Sequence, residues 1–530
     1  MSVMDMILAH APALIIAVPL LGAFLTPLIS RVSEKGRNIF AVIMIGITAI
    51  LVFLLASDVL ANGPVTYVFG STAETVQSST VIRILFEIDA LSIFMAIIGV
   101  ILSFVAVLYS YAFMEENTGL DKYYTLLLLM TTGMLGMMLT GDLFNFFVFL
   151  EITSISSAAL VAFWTNKVKS VEAGFKYIVI STIGALFVLF AVALLYGQYD
   201  ALNMAKIAQN LGLSGFTFID KIALMLLIAA LAMKGGLAPM HMWIPDAYGR
   251  APASISLLLV GATQASLYGL FRIVFTVYGD VISLPSVSVG WILVILGLIT
   301  MLIGVFMAII QTDFKRLIAY GAVAELGYMA LAVGTGLTIV ANSDPTITLE
   351  TAPFAMKAIT GGLFHLINDA LDIGLLFLVA GAVYYATKET SLNKLGGLAR
   401  QMKYTTVFFV IGLLAVSGLP PFNGFASKLL IYESTYQLNP ILSIVAILSS
   451  ILLLAIFVKV LYSVFLGPAL PKFETVSEVP KSMLLAMAII AGIILFFGLF
   501  PQLVVTHLVE PAANALVNNS EYLQWLTGGL

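Results

Sequence analysis

Fourteen stretches of this chain are long and almost wholly apolar, and they leave very few solutions for the backbone. They cover residues 7–29, 38–60, 88–112, 123–140, 143–164, 174–196, 220–240, 253–275, 287–310, 317–338, 354–385, 405–430, 440–467 and 482–507. A helix needs ~20 such residues to cross ~30 Å of hydrocarbon, where every backbone N–H and C=O must be bonded inside the protein. Barrel strands are about half that length and alternate polar with apolar; these segments do not. The pattern predicts an all-α polytopic membrane protein of fourteen spans. Composition agrees, at 61 % hydrophobic and 10 % charged residues with a mean hydropathy of +1.09, against roughly 45–50 % apolar in soluble domains.

The opening MSVMDMILAH has no basic run before its apolar stretch, so the first span reads as a retained helix rather than a cleaved signal. Cysteine is absent and the four histidines are scattered. Disulfides, cysteine-ligated iron–sulfur clusters, haem and zinc are therefore not expected, and neither is any cofactor or metal. Redox chemistry coupled to this chain belongs to another subunit. Fifteen of the 24 Lys and Arg residues fall in loops after odd-numbered spans, among them Lys167, Lys169, Arg250, Lys315 and Arg316, whereas the opposite loops hold only Arg83 and Lys206. The positive-inside rule makes the odd loops cytoplasmic and puts both termini outside a cell membrane.

The charges inside spans carry the functional reading. GDLFNFFVFLEITS sets Glu151 amid apolar residues, where a carboxylate costs about 2.5–3.5 kcal/mol to insert and usually marks a working site. The seventh span continues LAMKGGLAPMHMWIPDA and the twelfth contains VSGLPPFNGFASK, so each joins Gly and Pro to a lysine, Lys234 or Lys428. Proline removes a donor and clashes with the preceding turn, so both helices should break. Broken helices at membrane depth line protein-buried or watered cavities, and when they recur in two halves they point to an ion path. The breaks lie five spans apart, which implies a three-helix N-terminal segment (1–112), repeats over 123–275 and 287–467, and a C-terminal helix and tail (482–530). In that register Glu151 corresponds to Glu325. Desolvation and a movable carboxylate tune a lysine's proton affinity, and Lys234 with Glu151 supplies such a pair. Lys459, about two turns from a span end, reads as snorkelling.

The eleventh span, MKAITGGLFHLINDALDIG, carries Lys357, His365, Asn368, Asp369 and Asp372. His365, Asp369 and Asp372 follow an i, i+4, i+7 spacing and share a helix face. Such a stripe suits a hydrated core in which histidine passes protons, or a hydrogen-bonded seam between helices.

Together these motifs resemble the antiporter-like subunits shared by Mrp-type sodium/proton antiporters, respiratory complex I and the archaeal membrane-bound hydrogenases and sulfane sulfur reductases. The resemblance runs from FEIDALSIFMA at Phe86 to LYSVFLG near residue 467 and includes FKY at 175–177, MHMWIPDAYGRAP at 240–252, DFKRLIAY at 313–320, FHLIN at 364–368 and SGLPPFNGFASK at 417–428. GDLFNFFVFLE is most similar to the Mrp D-type subunit. The resemblance implies fourteen helices, two inverted five-helix repeats with broken helices 7 and 12, and a proton path along the membrane midplane. It assigns proton translocation to Glu151, Lys176, Lys234, His365 and Lys428; the chain's own pattern of charges adds Asp369 to these, with Gln264, Glu325, Lys357 and Asp372 accessory. Two departures stand out: Gln264 where relatives carry Lys or His, and FHLINDALDIG where many read FHLLNHALFKA, so that Asp369 replaces a His and Ile373 a Lys.

The expected function is a proton-translocating subunit of a respiratory or Mrp-type complex, with other membrane subunits as partners and H⁺, with or without Na⁺, as cargo. Two alternatives are a Na⁺/H⁺ exchange subunit, with Asp369 and Asp372 as oxygen ligands, and a degenerate scaffold in which Gln264 and Ile373 interrupt the relay. A stand-alone enzyme finds no nucleophile, metal or nucleotide motif.

Overall fold

The computed structural model describes residues 3–69, 84–279, 289–342, 352–518 and 522. Arg83 and the first two residues of the ninth apolar stretch lie outside them. The described chain is a helical bundle: α1 (Val3–Val32), α2 (Glu34–Asn62), α3 (Ala90–Phe113), α4 (Leu120–Leu139), α5 (Leu143–Val161), α6 (Val168–Tyr199), α7 (Met204–Ser214), α8 (Phe218–Lys234), α9 (Ile244–Arg250), α10 (Ala253–Arg272), α11 (Val289–Ile309), α12 (Phe314–Ala341), α13 (Pro353–Thr387), α14 (Lys403–Val416), α15 (Asn423–Leu438), α16 (Pro440–Val460), α17 (Lys481–Leu499) and α18 (Glu510–Val517). Eleven of the described helices are long and apolar enough to cross a membrane. The other three apolar stretches of the sequence fall on α4, on α8 with the break that follows it, and on the interrupted pair α14–α15. A hairpin of β1 (Val65–Val68) and β2 (Leu85–Ile88) and the short α7 were not legible as elements in the sequence.

Helix starts follow side-chain chemistry. Asp89, Asp142 and Asp313 each accept the backbone N–H three residues on, opening α3, α5 and α12, which satisfies donors a helix end leaves free. Burial then sorts the bundle into layers. The central turns of α10 and α13 are wholly enclosed and those of α12 nearly so, while α1, α2, α6 and α17 turn large apolar side chains such as Phe24 and Phe190 outward, as lipid-facing helices do. α11 meets α12 backbone to backbone. A Cβ on Gly297 would lie 2.5 Å from the Leu331 nitrogen, and one on Gly327 2.5 Å from that of Met301. Small residues permit this close approach, and it fixes the helix that carries Glu325.

Both expected breaks are present, and they are built alike. After Lys234, Gly236 (φ 73°) takes the left-handed turn, with Gly236 N–H donating to the Met233 carbonyl and Leu237 N–H to that of Ala232. After Val416, Gly418 (φ 69°) does the same, with Gly418 N–H donating to Ala415 and Leu419 N–H to Leu414. Each is a Schellman C-cap followed by proline, a combination that requires glycine and forbids continuation. Side chains take up the freed backbone groups: Thr300 accepts from the Ala238 N–H, and Trp243 donates to the Met233 carbonyl.

Candidate functional site

Two lysines sit at these breaks, each against a glutamate from the neighbouring helix. Lys234, the last residue of α8, places its Nζ 3.8 Å from Glu151 Oε1 and donates to Ser154 Oγ at 2.5 Å, both on α5. Lys428, one turn into α15, places its Nζ 2.8 Å from Glu325 Oε1 and donates to the Val416 carbonyl at 2.7 Å. The ammonium thus caps the half-helix α14, whose carbonyl end is the negative pole of its dipole. Glu325 and Lys428 are each 1 % exposed, and a pair so deep persists only when both charges are well partnered.

Glu325 does more than its accessory ranking implied. Its second oxygen, Oε2, lies 2.8 Å from His365 Nε2, so one carboxylate joins α13 to α15. His365 Nδ1 is 3.1 Å from Ser427 Oγ, and the Tyr328 ring stands 4.6 Å from the Lys428 ammonium. Sequence spacing cannot register a contact between residues 103 positions apart.

Between the two clusters runs a line of small polar groups. A cavity of about 10 Å³ reaches from Lys234, Ser154 and Ser181 to Thr263 and Ser266 of α10, which is room for roughly one water. Thr263 is hydrogen-bonded to Tyr248 of α9. The next residue, Gln264, donates its amide to Asp369 Oδ2 at 2.9 Å, and Asp369 is one turn from His365. The Gln264 departure therefore makes a contact with the Asp369 departure. Gln264 Oε1 and Asp369 Oδ1 are both buried without a hydrogen-bond partner. Asp372 accepts from Asn423 Nδ2 at 3.0 Å, which also reaches Asn368. Nothing in the sequence marks Ser154, Thr263, Ser266 and Asn423, whose signal is no more than a short polar residue in an apolar helix.

Two expected residues lie apart from this line. Lys176 is 48 % exposed and bridges Glu172 and Asp246, which also meets Arg316; these residues and Lys169 line an open cavity of about 240 Å³ on the face of the basic loops. Lys357 does not share the buried stripe of α13: it pairs at 2.5 Å with Glu433 and is half-exposed, because eight residues separate it from His365 along the helix and carry it toward the other face. Ile373 is buried in apolar packing. Lys459 donates to the carbonyl of Ile309, the last residue of α11, from an exposed position.

At the membrane end opposite the basic loops, a second polar cluster surrounds β2. Arg272 meets Asp89 at 2.5 Å, while Glu87 accepts from Asn203 at 2.5 Å and from Tyr522. Burial pushes the Glu87 carboxyl up to about 8 despite the opposing pull of the Asn203 hydrogen bond.

The family profile described as "NADH:quinone oxidoreductase/Mrp antiporter, TM" matches residues 140–454, which hold both lysine–glutamate pairs and everything between them. The chain belongs to that family. A second profile, of the N-terminus of complex I chain 5, matches residues 76–124. The chain is 30 % identical to "NADH-quinone oxidoreductase subunit N" of Desulforudis audaxviator, over 95 % of this chain and 98 % of that one. It is 29 % identical to "Na(+)/H(+) antiporter subunit A1" of Staphylococcus haemolyticus over 94 % of its own length, but spans only 62 % of that longer protein. Its fold matches a chain of the Mrp complex from Dietzia sp. DQ12-45-1b across the full length of both, with a TM-score of 0.83 at 24 % identity. It is thus a multi-pass member of the NADH:quinone oxidoreductase/Mrp antiporter family.

Proposed function

We propose that this chain is a proton-translocating subunit of a multisubunit membrane complex and moves H⁺ along the buried line from Glu151 to Lys428. The observation that carries this reading is the placement of two lysine–glutamate pairs, each at a Schellman-capped helix break, on either side of the buried Gln264–Asp369 contact. Lys234 takes a proton when Glu151 is near and yields it through the one-water cavity toward Thr263 and the Gln264–Asp369 contact. His365 passes it to Glu325 and Lys428. Lys176 and Asp246 form the polar approach on the basic face. The matching breaks support two five-helix repeats over 123–275 and 287–467 within a fourteen-span chain whose termini face outward from a cell membrane. The chain supplies no energy source to such a path, so a redox partner or an opposing ion gradient in the same complex drives it. Lys234→Ala in the reconstituted complex abolishes proton flux on this reading; undiminished flux rejects it.

One set of atoms favours a second reading, Na⁺/H⁺ exchange. Gln264 Oε1, Asp369 Oδ1 and Asn423 Oδ1 are buried acceptors without donors, and oxygen ligands of this kind suit a hard cation. Sodium-dependent flux that disappears in Asp369→Asn selects it. The scaffold reading rests on Gln264 and Ile373 interrupting the relay; the 2.9 Å contact of Gln264 with Asp369 weighs against the first, while Ile373 is buried in apolar packing.

A further inference from the structure

A cavity of about 310 Å³ opens on the face of the basic loops, away from the buried line. One wall is apolar and aromatic, made by Phe113, Trp164 and Tyr384; the other carries Lys167, Lys169, Arg250 and Lys315, and no acidic residue lines it. Arg250 is engaged by Asp313 at 3.4 Å. Among the described residues the three lysines have no carboxylate in ion-pair contact. Lys167 sits 3.8 Å from the Trp164 ring centroid and donates to the Tyr384 hydroxyl at 2.9 Å. Lys315 is 7 % exposed, and its ammonium is held by one protein acceptor, the Ala251 carbonyl at 2.5 Å. An ammonium has three donors, and beside a single protein acceptor an anion here would favour its charged form.

We infer that this cavity binds the headgroup of an anionic phospholipid, with the phosphate at Lys315 and Lys167 and the glycerol and first methylenes along Phe113, Trp164 and Tyr384. Three features select a lipid over a soluble anion. The cavity lies at the ends of membrane-spanning helices α3, α6, α10, α12 and α13, at headgroup depth. Trp164 and Tyr384 are the residue types that occupy that depth. Its wall is mostly apolar, which a free phosphate does not use. Basic pockets between helices on the cytoplasmic side are where anionic headgroups are held, and the loops of this face are the ones the positive-inside rule makes cytoplasmic. The site is separate from the buried line between Glu151 and Lys428, although Lys169 and Arg250 also border the neighbouring cavity of Lys176 and Asp246.

Native mass spectrometry of the delipidated, detergent-solubilised complex tests this with cardiolipin, phosphatidylglycerol, phosphatidylcholine and inorganic phosphate as probes. Both anionic lipids should be retained about tenfold more strongly than phosphatidylcholine, and Lys167→Gln/Lys169→Gln, which alters only exposed side chains, should erase that preference. Trp164→Ala should weaken retention of the anionic lipids as well. Lys315→Gln should act like the double variant wherever its melting temperature shows it folded. Equal retention of anionic and zwitterionic lipid, retention untouched by the double variant, or displacement of bound lipid by millimolar inorganic phosphate would each overturn the assignment.

Discussion

Gln264 on α10 donates its side-chain amide to the carboxylate of Asp369 on α13, 2.9 Å away in the fully enclosed centre of the bundle. This contact joins the half of the molecule that holds Lys234 to the half that holds Lys428. These are the two positions at which the sequence was expected to depart from its resemblance; in space they are each other's partners. An amide carries no transferable charge, so on the proposed proton path Gln264 would serve to hold Asp369 in place rather than to carry the proton.

The Glu325–Lys428 pair should behave as a coupled unit. Removing one member of a buried pair typically costs about 3–5 kcal/mol because the other charge is stranded, whereas replacing both by apolar groups is often near neutral. Glu325→Gln and Lys428→Met should therefore each lower the melting temperature in detergent sharply, and the double variant should recover most of the loss. Additive losses would show that the two side chains do not share an interaction.

Thr263→Val keeps volume but removes the hydroxyl that meets Tyr248 and borders the cavity beside Lys234. Proton flux in proteoliposomes should fall by about tenfold, as expected for losing one positioned proton-transfer partner. The melting temperature should fall only modestly, since the hydroxyl's two buried hydrogen bonds, to Tyr248 and to the Leu259 carbonyl, contribute about 1 kcal/mol each. Wild-type flux would remove Thr263 and the cavity from the path.

Lys176 is exposed and shared between two carboxylates, so Lys176→Ala should reduce flux only a few-fold, in contrast to Lys234→Ala. An exposed ion pair contributes about 0–1 kcal/mol, and stability should be unchanged. Complete loss of flux on Lys176→Ala would move this residue into the relay itself.

Much of this arrangement was legible because its causes are local. Apolar runs set the spans, and GGLAP and GLPP dictate the two breaks, since glycine and proline act on their own turn. Glu151 and Lys234 stood out because charge is rare in hydrocarbon. The contacts of Glu325 and Gln264 were not legible: each depends on a partner more than a hundred residues away, and helix periodicity says which residues share a face but not which helix that face meets. His365, Asp369 and Asp372 do share a stripe, yet they turn to three different neighbours, Glu325, Gln264 and Asn423. The hairpin β1–β2 is too short for its pattern to rise above that of a loop.

Glu87 predicts a pH dependence at the opposite end of the molecule. Its carboxyl is raised by burial to about 8 in the fold, from an ordinary value near 4.3. The folded state therefore holds the proton more tightly. The resulting stabilisation is complete below the ordinary value and is lost as pH rises through about 8. Amide exchange of residues 84–89, corrected for intrinsic rates, should accelerate between neutral and alkaline pH, and Glu87→Gln should flatten that response. A pH-independent profile in the wild type would show that the carboxyl is not held neutral there.

The central claim is that the two lysine–glutamate pairs belong to a single proton line through the middle of the bundle. Proton flux of the reconstituted complex bearing Gln264→Leu, in a preparation whose melting curve confirms folding, tests it most directly. Flux should fall at least about tenfold, with Glu151, Lys234, Glu325 and Lys428 all still present. Flux equal to wild type would mean that protons cross without passing between the two halves.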